Sequence, residues 1–107
     1  MANNFKNAKA DLTSTGNTTI YTCPTATQSV IKSILISNDS GSSDTIDITL
    51  TDASASVFSL FKAKSVASNT TVELLEQPLI MQESEIIKAQ ATTADRLHII
   101  ISFLEVN

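Results

Sequence analysis

The chain has 107 residues, 42% of them hydrophobic, and a formal net charge of −4 at pH 7. That is enough for one core of two layers and too little for two, and it is too apolar for a disordered chain. The seven basic residues are scattered, whereas a nucleic-acid surface needs Lys and Arg in clusters to neutralise phosphates.

Ser and Thr make up roughly a quarter of the sequence, Ile and Val are plentiful, and Gly and Pro number two each, a composition of strands and polar turns. No basic-then-apolar leader opens the chain, and its apolar C-terminal run falls short of the ~20 residues of a membrane helix. The expected setting is therefore a cytosol, with no membrane partner. The single cysteine, Cys23, allows no disulfide within the chain.

Residues 1–12, MANNFKNAKADL, are polar with single apolar residues at Phe5, Ala8, Ala10 and Leu12. They read as an N-terminal arm or an edge strand, followed by a sandwich domain over 13–107. A turn over 13–19, with Gly16 and Asn17 at its tip, precedes a short strand over 19–23, which Pro24 stops because it has no ladder donor. Residues 30–37, VIKSILIS, form a long apolar strand. The loop 38–44, NDSGSSD, is rich in residues that make their own turn hydrogen bonds. Over 45–52, Ile46, Ile48 and Leu50 alternate with polar residues, which predicts a strand half in the core. These two strands are expected to pair as a hairpin with a long polar tip.

The strand over 57–63, VFSLFKA, is expected to be buried on both sides near Phe58, Leu60 and Phe61. Shorter apolar pieces follow at 70–75, 79–81 and 85–91, separated by turns at 76–78 and 82–84. In 96–106, RLHIIISFLEV, Leu97, Ile99, Ile101 and Phe103 fall on one side, and His98, Ile100, Ser102 and Leu104 on the other. Both sides are mostly apolar, so this strand is expected at the centre of a sheet, beside 30–37 and covered on both faces. The whole predicts an all-β, single-domain antiparallel β-sandwich of about eight strands, jelly-roll-like or immunoglobulin-like.

The residues that carry chemistry are few. Cys23 has no base near it in sequence and reads as a small apolar filler. His98 has only Asp95 and Glu105 at nearby spacing and reads as a strand residue with a local hydrogen bond. Asp39 and Asp44 frame a loop rich in oxygens where a calcium ion would sit, but the ordered acidic positions of an EF-hand are missing and the loop reads as a solvated turn. Glu83 and Glu85 read as an exposed polar edge. The glycosylation patterns at Asn17 and Asn69 mean only turns without a secretory signal. With no convergent polar set, no catalysis, metal or other cofactor is expected.

Several pieces together suggest a family. They are Tyr21, Thr22 and Pro24 as a YT-x-P segment; VIKSILISN over 30–38; NTTVELL over 69–75; QPLI over 77–80; and LHIIISFLE over 97–105. In this order they resemble a group of small virion structural proteins of tailed bacteriophages, common among phages of marine cyanobacteria. The resemblance covers nearly the whole chain after Leu12. It implies a non-enzymatic virion protein made in the host cytoplasm, most concretely a capsid decoration or cement subunit; the neck, tail or a fibre base of the same virion is the alternative. The implied partners are the major capsid protein or other virion proteins, and further copies of the chain in a trimer or ring. Phe5, with the adjoining Lys6 and Lys9, is the candidate contact of the arm, and Asp39 and Asp44 are the candidates of the polar loop. A small carbohydrate-binding module is the third reading, but it would want exposed aromatics, and the chain has no Trp and one Tyr.

Overall fold

The computed structural model describes residues 3–107, so Met1 and Ala2 of the expected arm lie outside the described residues. The described chain contains nine strands: β1 (Asn3–Asp11), β2 (Thr18–Thr22), β3 (Gln28–Asn38), β4 (Asp44–Thr51), β5 (Val57–Val66), β6 (Thr70–Glu73), β7 (Leu79–Met81), β8 (Ile86–Ala91) and β9 (Leu97–Val106). They form two antiparallel sheets. Sheet A runs β1-β9-β3-β6, with β7 also on β3, and sheet B runs β2-β8-β4-β5.

β6 and β7 pair with different stretches of β3, Leu35 to Asn38 and Ser29 to Ile31, and so act as one interrupted strand. Counted that way, the pairs β1 with β9, β2 with β8, β3 with β6 and β7, and β4 with β5 are those of a long hairpin wrapped into two sheets. This is the jelly-roll arrangement, rather than the immunoglobulin one.

The alternation seen in the sequence decides what each strand buries. Ile31, Ile34 and Ile36 of β3 and Leu97, Ile99, Ile101 and Phe103 of β9 point from sheet A into the core. Ile46, Ile48 and Leu50 of β4 meet them from sheet B, with Ile87, Ala89 and Ala91 of β8. β9 is central in its sheet, as expected, with β1 on one side and β3 on the other.

Three expectations are corrected. β3 and β4 do not form a hairpin: β3 already has β9 on one side and β6 and β7 on the other, so it has no edge left for β4, which lies in the opposite sheet. Residues 38–44 are therefore a corner between the sheets. The buried Asn38 amide secures it by donating to Ser42 O at 2.9 Å and Val66 O at 3.2 Å. β5 is not buried on both sides. It is the edge of sheet B, with Phe58 53% exposed and Leu60 and Phe61 only half-buried. Two register shifts against β4 bend it; at the second, Ala63 has φ 50° and its N–H donates to Asp47 Oδ1 at 2.6 Å. Finally, β9 is covered on one face only. Ile100 on its other face is 39% exposed, because both sheets of the described chain are used up in making one core.

Candidate interaction surface

The uncovered face of sheet A is where the register gathers apolar side chains. Ile80 of β7 pairs with Val30 of β3, Val30 with Leu104 of β9, and Leu104 with Phe5 of β1. Directly opposed residues of antiparallel strands share a face, so these four form one apolar row across the sheet. Two steps along the strands a second row runs Glu73, Leu35, Ile100 and Lys9. Between the rows lie Ser33, Ser102 and Asn7, beside Lys32, the residue inserted at the bulge in β3.

Phe5 is 76% and Ile80 55% exposed. Phe5 therefore does not pack into its own domain, although the strand that carries it does: Ala8 and Ala10 of β1 lie against the core. Two further exposed apolar residues, Val57 and Phe58, start β5 at the edge of sheet B and point to opposite faces, Phe58 to the side of Leu50 and Val57 to the side of Thr51.

Behind Phe5 a polar bridge joins the sheets. Lys6 Nζ lies 2.8 Å from Glu105 Oε1, and Tyr21 Oη donates to Glu105 Oε2 at 2.6 Å. Because an ionised carboxylate only accepts, the tyrosine proton is committed there, and the Ser29 hydroxyl, 2.6 Å away, donates to Tyr21 Oη. Cys23 Sγ stands 3.3 Å from Ser29 Oγ and 3.4 Å from Thr27 O, a buried weak donor at the end of the chain of hydrogen bonds.

The Tyr21 ring packs on Phe103 with centroids 4.2 Å apart. Donation from Lys6, then from Tyr21, holds the Glu105 carboxyl below the usual glutamate range against the opposing effect of burial. Burial, then the adjoining Glu105, pushes the Tyr21 hydroxyl well above its ordinary value. The bridge is a fully partnered buried ion pair with its cation half in water. No base faces a free nucleophile in it.

The other candidates are separated by the fold. Asp44 is buried, and its two oxygens accept from the N–H groups of Thr45 at 2.8 Å and Thr93 at 3.0 Å. Asp39, the other acid of the loop, stands near His98 on the uncovered face of sheet A, 3.5 Å from Nε2, and Asp11 stands at 3.8 Å from the same nitrogen. The carboxylates near His98 are thus Asp11 and Asp39, brought by strand pairing and by the corner. Glu105 lies on the opposite face of β9.

No group of three His, Cys, Asp or Glu among the described residues is placed to hold a metal ion. Glu83 and Glu85 do more than blunt an edge, since each accepts a backbone N–H, from Ala26 at 2.7 Å and Gln82 at 2.8 Å. Glu73 Oε1 accepts from Ser33 Oγ, and Oε2 from Ile34 N at 2.8 Å and Leu75 N at 3.1 Å. Burial pushes its pKa up, but these donors outweigh it and hold it below the ordinary range.

The clefts are shallow. One of about 460 Å³ lies on the open side of the sandwich between Phe61, Lys64 and the segment 73–77. Another of about 390 Å³ lies between the loop at Ala26 to Gln28 and the C-terminus.

The candidates missed in the sequence are Val30, Leu35, Ile80, Ile100 and Leu104. For Ile100 and Leu104 the signal is the two-sided apolar character of 96–106, which by itself predicts a second covering layer. The fold and this surface define an all-β jelly roll in which the uncovered face of sheet A carries an apolar row. No known family, curated protein or solved structure matches the chain.

Proposed function

We propose that the chain is a non-enzymatic structural protein of a bacteriophage virion, most concretely a decoration or cement subunit on the capsid surface. One observation carries this reading: among the described residues, three exposed large apolar side chains, Phe5, Ile80 and Ile100, gather on the uncovered face of sheet A. Isolated apolar residues are ordinary on a protein surface, but gathered ones mark contacts with other macromolecules. The sequence resemblance supplies the virion setting.

A jelly roll agrees with that setting without deciding it, since the architecture also serves lectins and cupins. Against a carbohydrate module, the one Tyr is half-buried and its hydroxyl is committed to Glu105. A subunit that binds a symmetric shell at many places gains high effective concentration from weak single contacts. The negative net charge favours the solubility of unassembled subunits in the host cytoplasm.

The test is mass spectrometry of purified particles of the phage that encodes the chain, with copy number normalised to the major capsid protein. Hundreds of copies per particle are expected for a decoration subunit. A few to some tens would move the chain to the neck, tail or fibre base, and its absence from particles would overturn the reading.

A further inference from the structure

We infer that the uncovered face of sheet A is a self-complementary interface, whose occupant is the same face of a second copy related by a two-fold axis running roughly along the strands. This deepens the virion reading by naming one partner, and it rests on that reading only for its biological setting. The first row reads Ile80, Val30, Leu104, Phe5, and the second Glu73, Leu35, Ile100, Lys9, each from the β6 and β7 side to the β1 side.

A two-fold axis between β3 and β9 leaves the level along the strands unchanged and exchanges the two sides. Phe5 then faces Ile80 of the second copy and Leu104 faces Val30, while Ile100 faces Leu35 and Lys9 faces Glu73. Every apolar position meets an apolar position, and the one cation of these rows meets their one anion. Phe5 and Ile80 are exposed, the Lys9 side chain has only a 3.4 Å contact with Asn7 Oδ1, and Glu73 is held in its ionised form by the donors described above.

Lys32, the other charge between the rows, meets Ser102 and Asn7, whose oxygens can accept from it. At one end of the face, Asp11 and His98 meet Thr71 and Ser37, which are neutral. A two-fold axis running across the strands midway between the rows instead would set Phe5 against Lys9 and Ile80 against Glu73, an apolar side chain against a charge at both edges of the face. Twisted sheets pack face to face at about −30°, so the axis is inclined to the strands by about 15°. An interface of this kind is isologous and closes at two copies.

The experiment uses the full chain. Sedimentation velocity over about 1 to 300 µM is expected to show a reversible dimer, with Lys9→Glu and Phe5→Ser each weakening it at least about tenfold. Both side chains are exposed, so both variants are expected to stay folded, and circular dichroism checks that. Arrangement is read with a short bis-maleimide and the single variants Phe5→Cys and Ile80→Cys; Cys23 is buried and stays silent. A mixture of the two variants is expected to cross-link into a mixed dimer, because these positions face each other across sheets ~10 Å apart. Phe5→Cys alone is not, because its two copies lie about 14 Å apart sideways, three strand spacings, in addition to the sheet separation.

A chain that stays monomeric throughout, a dimer untouched by both surface variants, or a Phe5→Cys sample that links to itself as readily as the mixture overturns the inference. Each of those results leaves the virion reading to be decided by copy number in the particle.

Discussion

At the scale of single residues, Glu105 shows what a buried charge in this fold requires. Its side chain is 5% exposed and depends on Lys6 and Tyr21. Removing one partner leaves a buried carboxylate short of a donor, which costs more than the bond itself gives. Lys6→Met is expected to lose about 1–2 kcal/mol at pH 7, less than for a fully buried pair because the ammonium is half in water.

The direction with pH follows from the lowered pKa. The unfolded chain takes up the proton first as pH falls, so the stabilisation is complete above the ordinary value of 4.5 and is lost as pH drops through the folded one. Glu73 contributes with the same sign. Urea midpoints of the native chain should be flat from about pH 7 to 5 and fall below 4.5; in Lys6→Met they should start lower and fall less steeply. Two parallel curves would show that Lys6 acts by packing alone.

At the scale of elements, β9 and β1 divide structural and surface roles. Ile99 and Ile101 are fully buried between the sheets, so Asp at either site places a carboxylate where no partner exists. Ile101→Asp is expected to cost about 5 kcal/mol or more, comparable with the whole stability of a domain, and to abolish soluble expression. Soluble, cooperatively unfolding Ile101→Asp protein would contradict the central place of β9.

β1 is an edge strand rather than a loose arm. It pairs along its length with β9, its Ala8 and Ala10 touch the core, and Leu12 just beyond it is buried. Removing residues 1–10 would bare an edge of β9 and take Lys6 from Glu105, confounding assembly with folding. The contact role of Phe5 is therefore tested by a point substitution.

At the scale of the whole molecule, the wrapped-hairpin topology makes sequence-distant strands neighbours. β1 pairs with β9 and β2 with β8, so closing sheet A brings the two ends of the chain together before most native contacts can form. Such topologies fold slowly. Refolding by stopped-flow dilution is expected on the millisecond-to-second scale, and a chain ending before Leu97 is expected to show no cooperative unfolding. A folded truncated chain would mean that sheet B and part of sheet A suffice without β9.

The sequence by itself determined the all-β class, the main strands, the inward face of 45–52 and the central place of 96–106. These follow from local periodicity, because a strand reads its own alternation wherever it lies. Only the tertiary structure decided which strands pair. The expected hairpin of 30–37 with 45–52 failed because the edge open to β4 depends on β9, β6 and β7, which come much later in the chain. Asp39 and Asp44 looked like one acidic loop, yet the corner sends Asp44 to the N–H groups of Thr45 and Thr93 and Asp39 toward His98. The row of Ile80, Val30, Leu104 and Phe5 joins four separate strands. Alternation marks each of these side chains as facing one side or the other, but whether that side meets a core or water depends on how many layers the chain can build, and one domain of this length has spent both sheets on a single core.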